Sequence, residues 1–194
     1  MQTTSILRCL SLSLPLLLLL GCSVKKMAVN SLADSLAASA SKSLAEDDDL
    51  QLVGEAMPFT LKLMEVLHDQ APENVGLYQA LASGFAMYAM VYVQWPAEQL
   101  KYEDFAGSAA GVERARGLFM RAHGYAREGM ELTHPGFNDL LAADPTAAMA
   151  ITTEDDVPML YWLGTTWLAV ISNSRENPAI IGDLPVAATI IHRC

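Results

Sequence analysis

The residues with the clearest chemical role form a short motif near the N-terminus, Leu19-Leu20-Gly21-Cys22-Ser23. It ends an apolar run that is shorter than the roughly 20 residues a membrane-spanning helix needs, which is typical of a signal peptide. The small residue and the cysteine that follows it match a bacterial lipoprotein signal, in which the cysteine thiol receives diacylglycerol. The alternative is a plain secretory signal with an incidental cysteine. We therefore expect a signal peptide over residues 1–21 and lipidation at Cys22.

The anchor motif predicts three parts in the chain. Residues 22–46, rich in Ser, Ala and Leu, are interpreted as the lipidated N-terminus and tether, and residues 47–194 as a helical repeat domain. Buried acyl chains hold a protein at a membrane, because each CH₂ contributes about 0.8 kcal/mol. We expect the chain on the periplasmic side of the bacterial envelope, with the outer membrane favoured because Ser23 is not an aspartate.

The composition excludes several classes of protein. Hydrophobic types make up 52% of the 194 residues, which is enough for a core and argues against a disordered chain. Twelve basic residues stand against 22 acidic ones, for a net charge of −10, so we expect no nucleic-acid partner. The three cysteines lack the spacing of a disulfide framework or a zinc site.

The sequence predicts no catalytic, cofactor or metal site. A helix-bundle metal site needs Glu-x-x-His pairs on facing helices, and Glu65 with His68 is a match to this motif. The ordinary interpretation of that pair is two surface residues. Nucleophile elbows and phosphate-binding loops are missing from the sequence, so we expect no enzyme and no cofactor.

Aromatic side chains supply the candidate binding site. They lie at helical spacing on two long predicted helices, the second, which stops at Pro96, and the fourth, which begins at residues 155–158. Ordinary core packing explains such stripes; the alternative is that they converge on one cavity between these helices for a ligand or partner. In that case the polar ends of Tyr and Trp face solvent. The candidate residues are Phe85, Tyr88, Tyr92, Trp95, Tyr161, Trp162 and Trp167.

An apolar period near 3.6 predicts helices throughout the domain. The first opens at residues 47–49 and bends at Pro58, and the second stops at Pro96, before a long loop to Gly111. The third carries four arginines, interpreted as a solvated face or as a patch for a partner or anion. The inner face of the first helix is expected to hold Leu52, Ala56, Phe59, Leu63 and Val66, and the arginines are Arg114, Arg116, Arg121 and Arg127.

These helices predict an all-α fold of antiparallel hairpins, stacked as a degenerate tetratricopeptide-like α-solenoid. Pro145 and Pro178 lie one such repeat period apart, and isolated hairpins of this kind cannot bury their apolar faces. The last apolar pattern runs up to Cys194 without a glycine cap, so we expect the repeat array to be incomplete.

Several short segments of the chain match a known family when they are taken in order. They are residues 47–50, 52–53, 56–59, 61–65, 82–85, 114–116, 137 with 140–141, and 156–162. These segments resemble the T-component lipoproteins of tripartite ATP-independent (TRAP) transporters. The resemblance is collinear and covers most of the chain after the signal.

The resemblance implies a periplasmic, lipid-anchored accessory component without catalytic residues. It implies docking to the solute-binding protein of a TRAP system, self-association into a homo-oligomer with a trimer as one candidate, and binding or passage of an apolar or organic-acid ligand. It also implies that members continue with further helical repeats. The alternative function is a general helical-repeat scaffold lipoprotein of the envelope.

Overall fold

A computed structural model describes residues 27–36, 42 and 46–194, and every regular element in this part of the chain is helical. The predicted all-α class is therefore confirmed for these residues. The predicted signal peptide and Cys22 lie outside them. The α-helices are α1 (Leu50–Gln70), α2 (Val75–Tyr88), α3 (Trp95–Gln99), α4 (Phe105–Thr133), α5 (Phe137–Ala143), α6 (Pro145–Ala150), α7 (Val157–Ser172), α8 (Pro178–Ile181) and α9 (Leu184–Arg193).

Short π-helical and 3₁₀ segments connect some of these α-helices. A π-helical turn, Ala89–Gln94, joins α2 to α3, and 3₁₀ turns cover Leu100–Tyr102 and Glu154–Asp156. Residues 27–36, inside the predicted tether, are also helical. None of the described helices is long and apolar enough to cross a bilayer.

Side-chain caps fix where the main helices begin. Asp49 accepts hydrogen bonds from the first amides of α1, and Asn74 accepts one from the Leu77 amide at the start of α2. Asp104 does the same for α4 and Asp144 for α6. Each cap satisfies amides that have no partner inside the helix, which stabilises the helix by about 1 kcal/mol.

The long helices pack in chain order: α1 on α2, α2 on α4, α4 on α7 and α7 on α9. Helix α2 also contacts α7, so α2 and α7 lie side by side against α4. The core between them contains the fully buried side chains of Leu81, Phe119 and Leu163.

The predicted inner face of α1 is wrong. The helix buries Val53, Met57, Leu61 and Met64, whereas Phe59 is 74% exposed. Apolar residues line two faces of α1, and the face that packs is the one that fits α2, where Gly84 leaves room for the Leu61 side chain. Of the five predicted inner residues, Ala56 is half-buried and Leu52, Phe59, Leu63 and Val66 are exposed.

The predicted end of the second helix at Pro96 is also wrong. Helix α3 continues through Pro96, and α4 begins at Phe105, so most of the predicted loop is helical. In the π turn the Trp95 amide donates to the Met90 carbonyl, five residues back. This wider turn relieves the clash that a proline ring makes with an α-helical backbone. Gly111 lies inside α4, where a Cβ atom would overlap Ala97 of α3.

Candidate functional site

An apolar groove of about 340 Å³ lies between the α2–π segment and α7, with Phe119 of α4 among its lining residues. We call it the α2–α7 groove. Helices α2 and α7 lie side by side against α4, and the groove opens where they separate. Its lining residues are Ala86, Met87, Met90, Val91, Phe119, Tyr161, Trp162, Thr165, Thr166 and Ala169.

The rim of the groove exposes large apolar side chains to solvent. Met87, Met90 and Val91 are each 40% or more exposed, and Tyr161 across the groove is 47% exposed. Contiguous exposed apolar surface of this kind marks interaction sites in soluble domains. Met90 and Val91 lie in the π turn, an irregularity that is frequent at functional sites.

Both threonine hydroxyls that line the groove already donate their protons to backbone carbonyls of α7. Thr165 Oγ1 donates to the Tyr161 carbonyl at 2.7 Å, and Thr166 Oγ1 donates to the Trp162 carbonyl at 2.6 Å. No lining residue is charged. The groove therefore suits an apolar group better than a carboxylate, because the lining supplies no positive charge to offset the lost hydration of an anion.

Two of the seven predicted aromatic residues meet at the groove. Tyr161 and Trp162 pack edge to face, with their ring centroids 5.0 Å apart, and both contribute to the lining. The prediction missed Met87, Met90 and Val91 as site residues. Their sequence signal is a run of apolar residues on another face of the second predicted helix, and the spacing of the aromatic residues does not detect it.

The other five aromatic residues lie outside the groove lining. Phe85 stacks on Tyr125 with centroids 6.0 Å apart, and Tyr88 stacks on Tyr92 at 5.8 Å. Trp95 is 63% exposed at the start of α3. The remaining one, Trp167, is half-buried in α7.

The π turn explains why the first aromatic stripe divides. A π turn holds more residues than an α turn, so it rotates everything after it relative to the 3.6-residue pattern. Tyr92 is directed toward α1, where its hydroxyl donates to the Leu50 carbonyl at 2.9 Å and its ring occupies the space left by Gly54. Trp95 is rotated outward into solvent.

A buried histidine supports the α7 wall of the groove. The His123 Nδ1–H donates to the Leu163 carbonyl at 3.1 Å, and its ring stacks on Trp167 with centroids 4.6 Å apart. Burial lowers the pKa of His123 to about 4, and the charge of Arg127 acts in the same direction, against the raising effect of the Leu163 hydrogen bond. The imidazole is therefore neutral at physiological pH, and its role is structural.

The interpretation of Glu65 as a surface residue is wrong. Glu65 is 7% exposed and accepts hydrogen bonds from Tyr125 Oη at 2.7 Å and Lys62 Nζ at 2.6 Å; it also pairs with Arg121. Burial raises the pKa of Glu65, but the three partners together lower it by more than burial raises it. The pKa of Glu65 therefore lies below its ordinary value. This carboxylate ties α1 to α4.

His68 belongs to the same packed region. Its ring lies edge-on to Tyr78 at 4.5 Å and to Tyr125 at 5.6 Å between centroids. Burial raises the pKa of Tyr125 to about 12, and the hydrogen bond to Glu65 adds to this effect. Among the described residues, no three His, Cys, Asp or Glu side chains come together as ligands for a metal ion.

The four arginines of α4 are engaged within the chain. Arg116 pairs with Glu113, with Nε 2.8 Å from Oε2, and Arg127 donates to Asn138 at 3.1 Å. Arg121 lies over the ring of Phe85 at 4.7 Å, and the remaining one, Arg114, lies 5.9 Å from the centroid of Tyr88. These contacts favour the solvated-face interpretation over an anion-binding patch.

A second hollow, of about 640 Å³, lies between the N-terminal part of α4 and the C-terminal end of α7. Its walls carry charges of both signs, from Lys101, Glu113, Arg175 and Glu176. Such a mixed and open surface is well hydrated, so the α2–α7 groove remains the better candidate for a binding site.

Comparison with known proteins assigns the chain to a family. A protein of Treponema pallidum (strain Nichols), described as uncharacterized, is 32% identical over an alignment that covers 91% of this chain and 60% of the relative. The chain thus aligns with about three-fifths of that relative's length. The sequence profile of the TRAP transporter T-component family matches residues 46–194, which include all the long helices and the groove. On this match, the chain belongs to the TRAP transporter T-component family, a transporter component rather than an enzyme family.

Proposed function

We propose that this T-component is a periplasmic, lipid-anchored accessory subunit of a TRAP uptake system. Cys22 carries the anchor, and the domain docks the solute-binding protein of that system. In this proposal the α2–α7 groove binds an apolar ligand, or an apolar segment of the solute-binding protein. The family membership supports a role with a TRAP transporter.

The observation that carries the proposal is the exposed apolar rim of the α2–α7 groove. Met90 is 46% exposed and Tyr161 is 47% exposed, although both lie beside a well-packed core. Exposed apolar surface costs free energy in water, by about 25 cal/mol for each Å² left uncovered. A partner or ligand that covers the rim removes that cost, which favours binding at this place.

The groove chemistry narrows the ligand class. The sequence leaves open an apolar or an organic-acid ligand, but no lining residue carries a positive charge. An organic acid bound here would need its carboxylate to stay outside the groove, in water or on the partner. We therefore assign the apolar part of a ligand to the groove.

The packing order supports a tetratricopeptide-like arrangement as part of the proposal. Helices α1, α2, α4, α7 and α9 follow one another in space, as the helices of a solenoid do. Helix α1 also carries an exposed apolar stripe, which we call the α1 stripe and which consists of Leu52, Phe59, Leu63 and Val66. This stripe is a suitable contact surface for a homo-oligomer, for which a trimer is one candidate.

Co-purification tests the docking proposal. We expect the full-length, lipidated chain to retain a co-expressed TRAP solute-binding protein through an affinity tag. Met90→Asp places a charge on the groove rim and should reduce retention at least about tenfold, because a desolvated charge costs more than 1.4 kcal/mol. Met120→Asp is the matched control, since Met120 is 41% exposed on α4 but does not line the groove.

Two outcomes would contradict the proposal. Equal losses with Met90→Asp and Met120→Asp would remove the groove from the interface. Failure to retain any TRAP solute-binding protein, together with capture of unrelated envelope proteins, would favour the general scaffold function instead.

A further inference from the structure

We infer that residues 27–36 act as a clamp that holds the domain close to the bilayer, with the α1–α2 turn facing the lipid surface. The inference rests on the proposed lipid anchor at Cys22 and goes beyond it, because an anchor alone does not orient the domain. We call residues 27–36 the clamp segment.

The clamp segment is packed against the domain. Ala33 is fully buried in a cluster with Leu61 and Met64 of α1 and Leu77 of α2, and Val29 packs against the same cluster. This apolar packing attaches the clamp segment to α1 and α2.

A polar contact fixes the position of the clamp segment at the α1–α2 turn. The Asn74 Nδ2 group donates to Asp34 Oδ1 at 2.7 Å, while Asn74 Oδ1 accepts from the Leu77 amide at 2.9 Å. Asn74 is 8% exposed, so its side chain is held from both sides. The residue that caps α2 therefore also binds the clamp segment.

This contact shortens the reach of the anchor. If the whole stretch from Cys22 to Asp49 were a linker, its 27 residues could extend about 95 Å. With the clamp docked, only four residues lie between Cys22 and Met27, and the five Cα–Cα steps that join them span at most about 18 Å. The helix from Met27 to Asp34 adds about 10 Å, so the α1–α2 turn lies within about 30 Å of the anchored residue.

The short reach of the lipid anchor determines which end of the domain lies next to the membrane. Helix α4, with 29 residues, is about 43 Å long, so the two ends of the domain are farther apart than the anchor can reach. The α1–α2 turn is the end attached to the clamp. The surface that faces the bilayer is therefore this turn with the adjoining last turn of α1.

Paired insertions test the clamp. The chain from Cys22 to Cys194, carrying Cys194→Ser, is coupled through Cys22 to a maleimide phospholipid in phosphatidylcholine vesicles. A donor dye is placed at exposed position 69 through a bioorthogonal amino acid, and energy transfer to an acceptor lipid is measured. One variant has 20 Gly/Ser residues inserted between Lys26 and Met27, and the other has the same insertion between residues 40 and 41.

The clamp predicts unequal effects of the two insertions. The insertion before Met27 lengthens the anchor by about 25 Å on average and should reduce energy transfer by about half. The insertion after the clamp should leave energy transfer unchanged. Equal reductions by both insertions, or no reduction by either, would overturn the inference.

An undocking variant provides a second test. Ala33→Glu places a charge in the buried cluster, so both insertions should then reduce energy transfer equally. Ser31→Glu adds the same charge at an exposed position of the same helix and should behave like the parent chain. Should Ala33→Glu unfold the domain, the paired insertions in the parent chain still decide the question.

The clamp and the anchor can fail separately. Chemical coupling supplies the lipid whether or not a cell attaches one, so the insertions report on the clamp alone. Mass spectrometry of Cys22 in the native lipoprotein reports on lipidation alone.

Discussion

At the scale of single residues, two neighbours in α7 differ in what they contribute. Trp162 lines the groove but also packs against two of the core clusters, whereas Tyr161 is 47% exposed at the rim. Their spacing in the sequence is compatible with core packing and with a binding role. Trp162 serves packing as well as the groove, and Tyr161 is the cleaner probe of binding.

Substituting these two residues should separate stability from binding. We expect Trp162→Ala to lower the free energy of unfolding by about 3 kcal/mol, because it deletes a core aromatic side chain. Tyr161→Ala should change it by less than about 1 kcal/mol and still weaken partner retention. Urea unfolding with co-purification checks both, and a stable Trp162→Ala protein would contradict the packing.

His123 should make the stability of the domain depend on pH. Its pKa is lowered to about 4 by burial, whereas the unfolded chain takes up the proton near 6.5. Above pH 6.5 His123 is neutral in both states and costs no stability. As the pH falls toward 4, only the unfolded chain takes up the proton, so the free energy of unfolding decreases by about 3 kcal/mol.

The measurement for His123 is urea unfolding at pH 7 and pH 4, compared with His123→Asn, which keeps a donor toward Leu163. The parent chain should lose about 3 kcal/mol more than the variant over this range. An equal loss in both proteins would show that His123 is not buried as a neutral ring.

At the scale of elements, the sequence predicted the number and type of the long helices better than their faces. The cap at Asp49 and the 3.6-residue period depend on local interactions, which a sequence displays directly. The buried face of α1 depends on which surface α2 offers. Both faces of α1 are apolar, so periodicity alone could not decide between them.

The groove was harder to predict because its geometry depends on the π turn. The hydrogen bond from the Trp95 amide to the Met90 carbonyl changes the helical register, and no periodic pattern signals that change. Pro96 was the available signal, but a proline predicts a break more often than a wider turn. The aromatic pair Tyr161 and Trp162 could be found because α7 is regular throughout.

Two glycines of α4 should respond oppositely to the same substitution. Gly111→Ala places a Cβ atom against Ala97 of α3 and should lower the free energy of unfolding by about 1–3 kcal/mol. Gly117→Ala meets no atom within 4 Å and should raise stability by about 1 kcal/mol through helix propensity. Thermal and urea unfolding of both variants check this, and a stabilised Gly111→Ala protein would refute the close packing of α3 on α4.

At the scale of the whole molecule, two apolar surfaces compete for the role of docking site. The α2–α7 groove is concave, lies between two helices and includes aromatic side chains, which are features of binding sites. The α1 stripe, which includes Phe59, lies on a single helix, and we propose it only for self-association. If the groove is the docking site for the solute-binding protein, that protein must contact the groove rim and not the α1 stripe.

Site-specific photo-crosslinking tests that requirement most directly. Benzoylphenylalanine is incorporated at Val91 on the groove rim or at Phe59 on α1, both exposed, in the full-length chain co-expressed with a TRAP solute-binding protein. We predict a heterodimeric adduct from position 91, and from position 59 only adducts between copies of this chain. An adduct with the solute-binding protein from position 59 and none from position 91 would contradict the account.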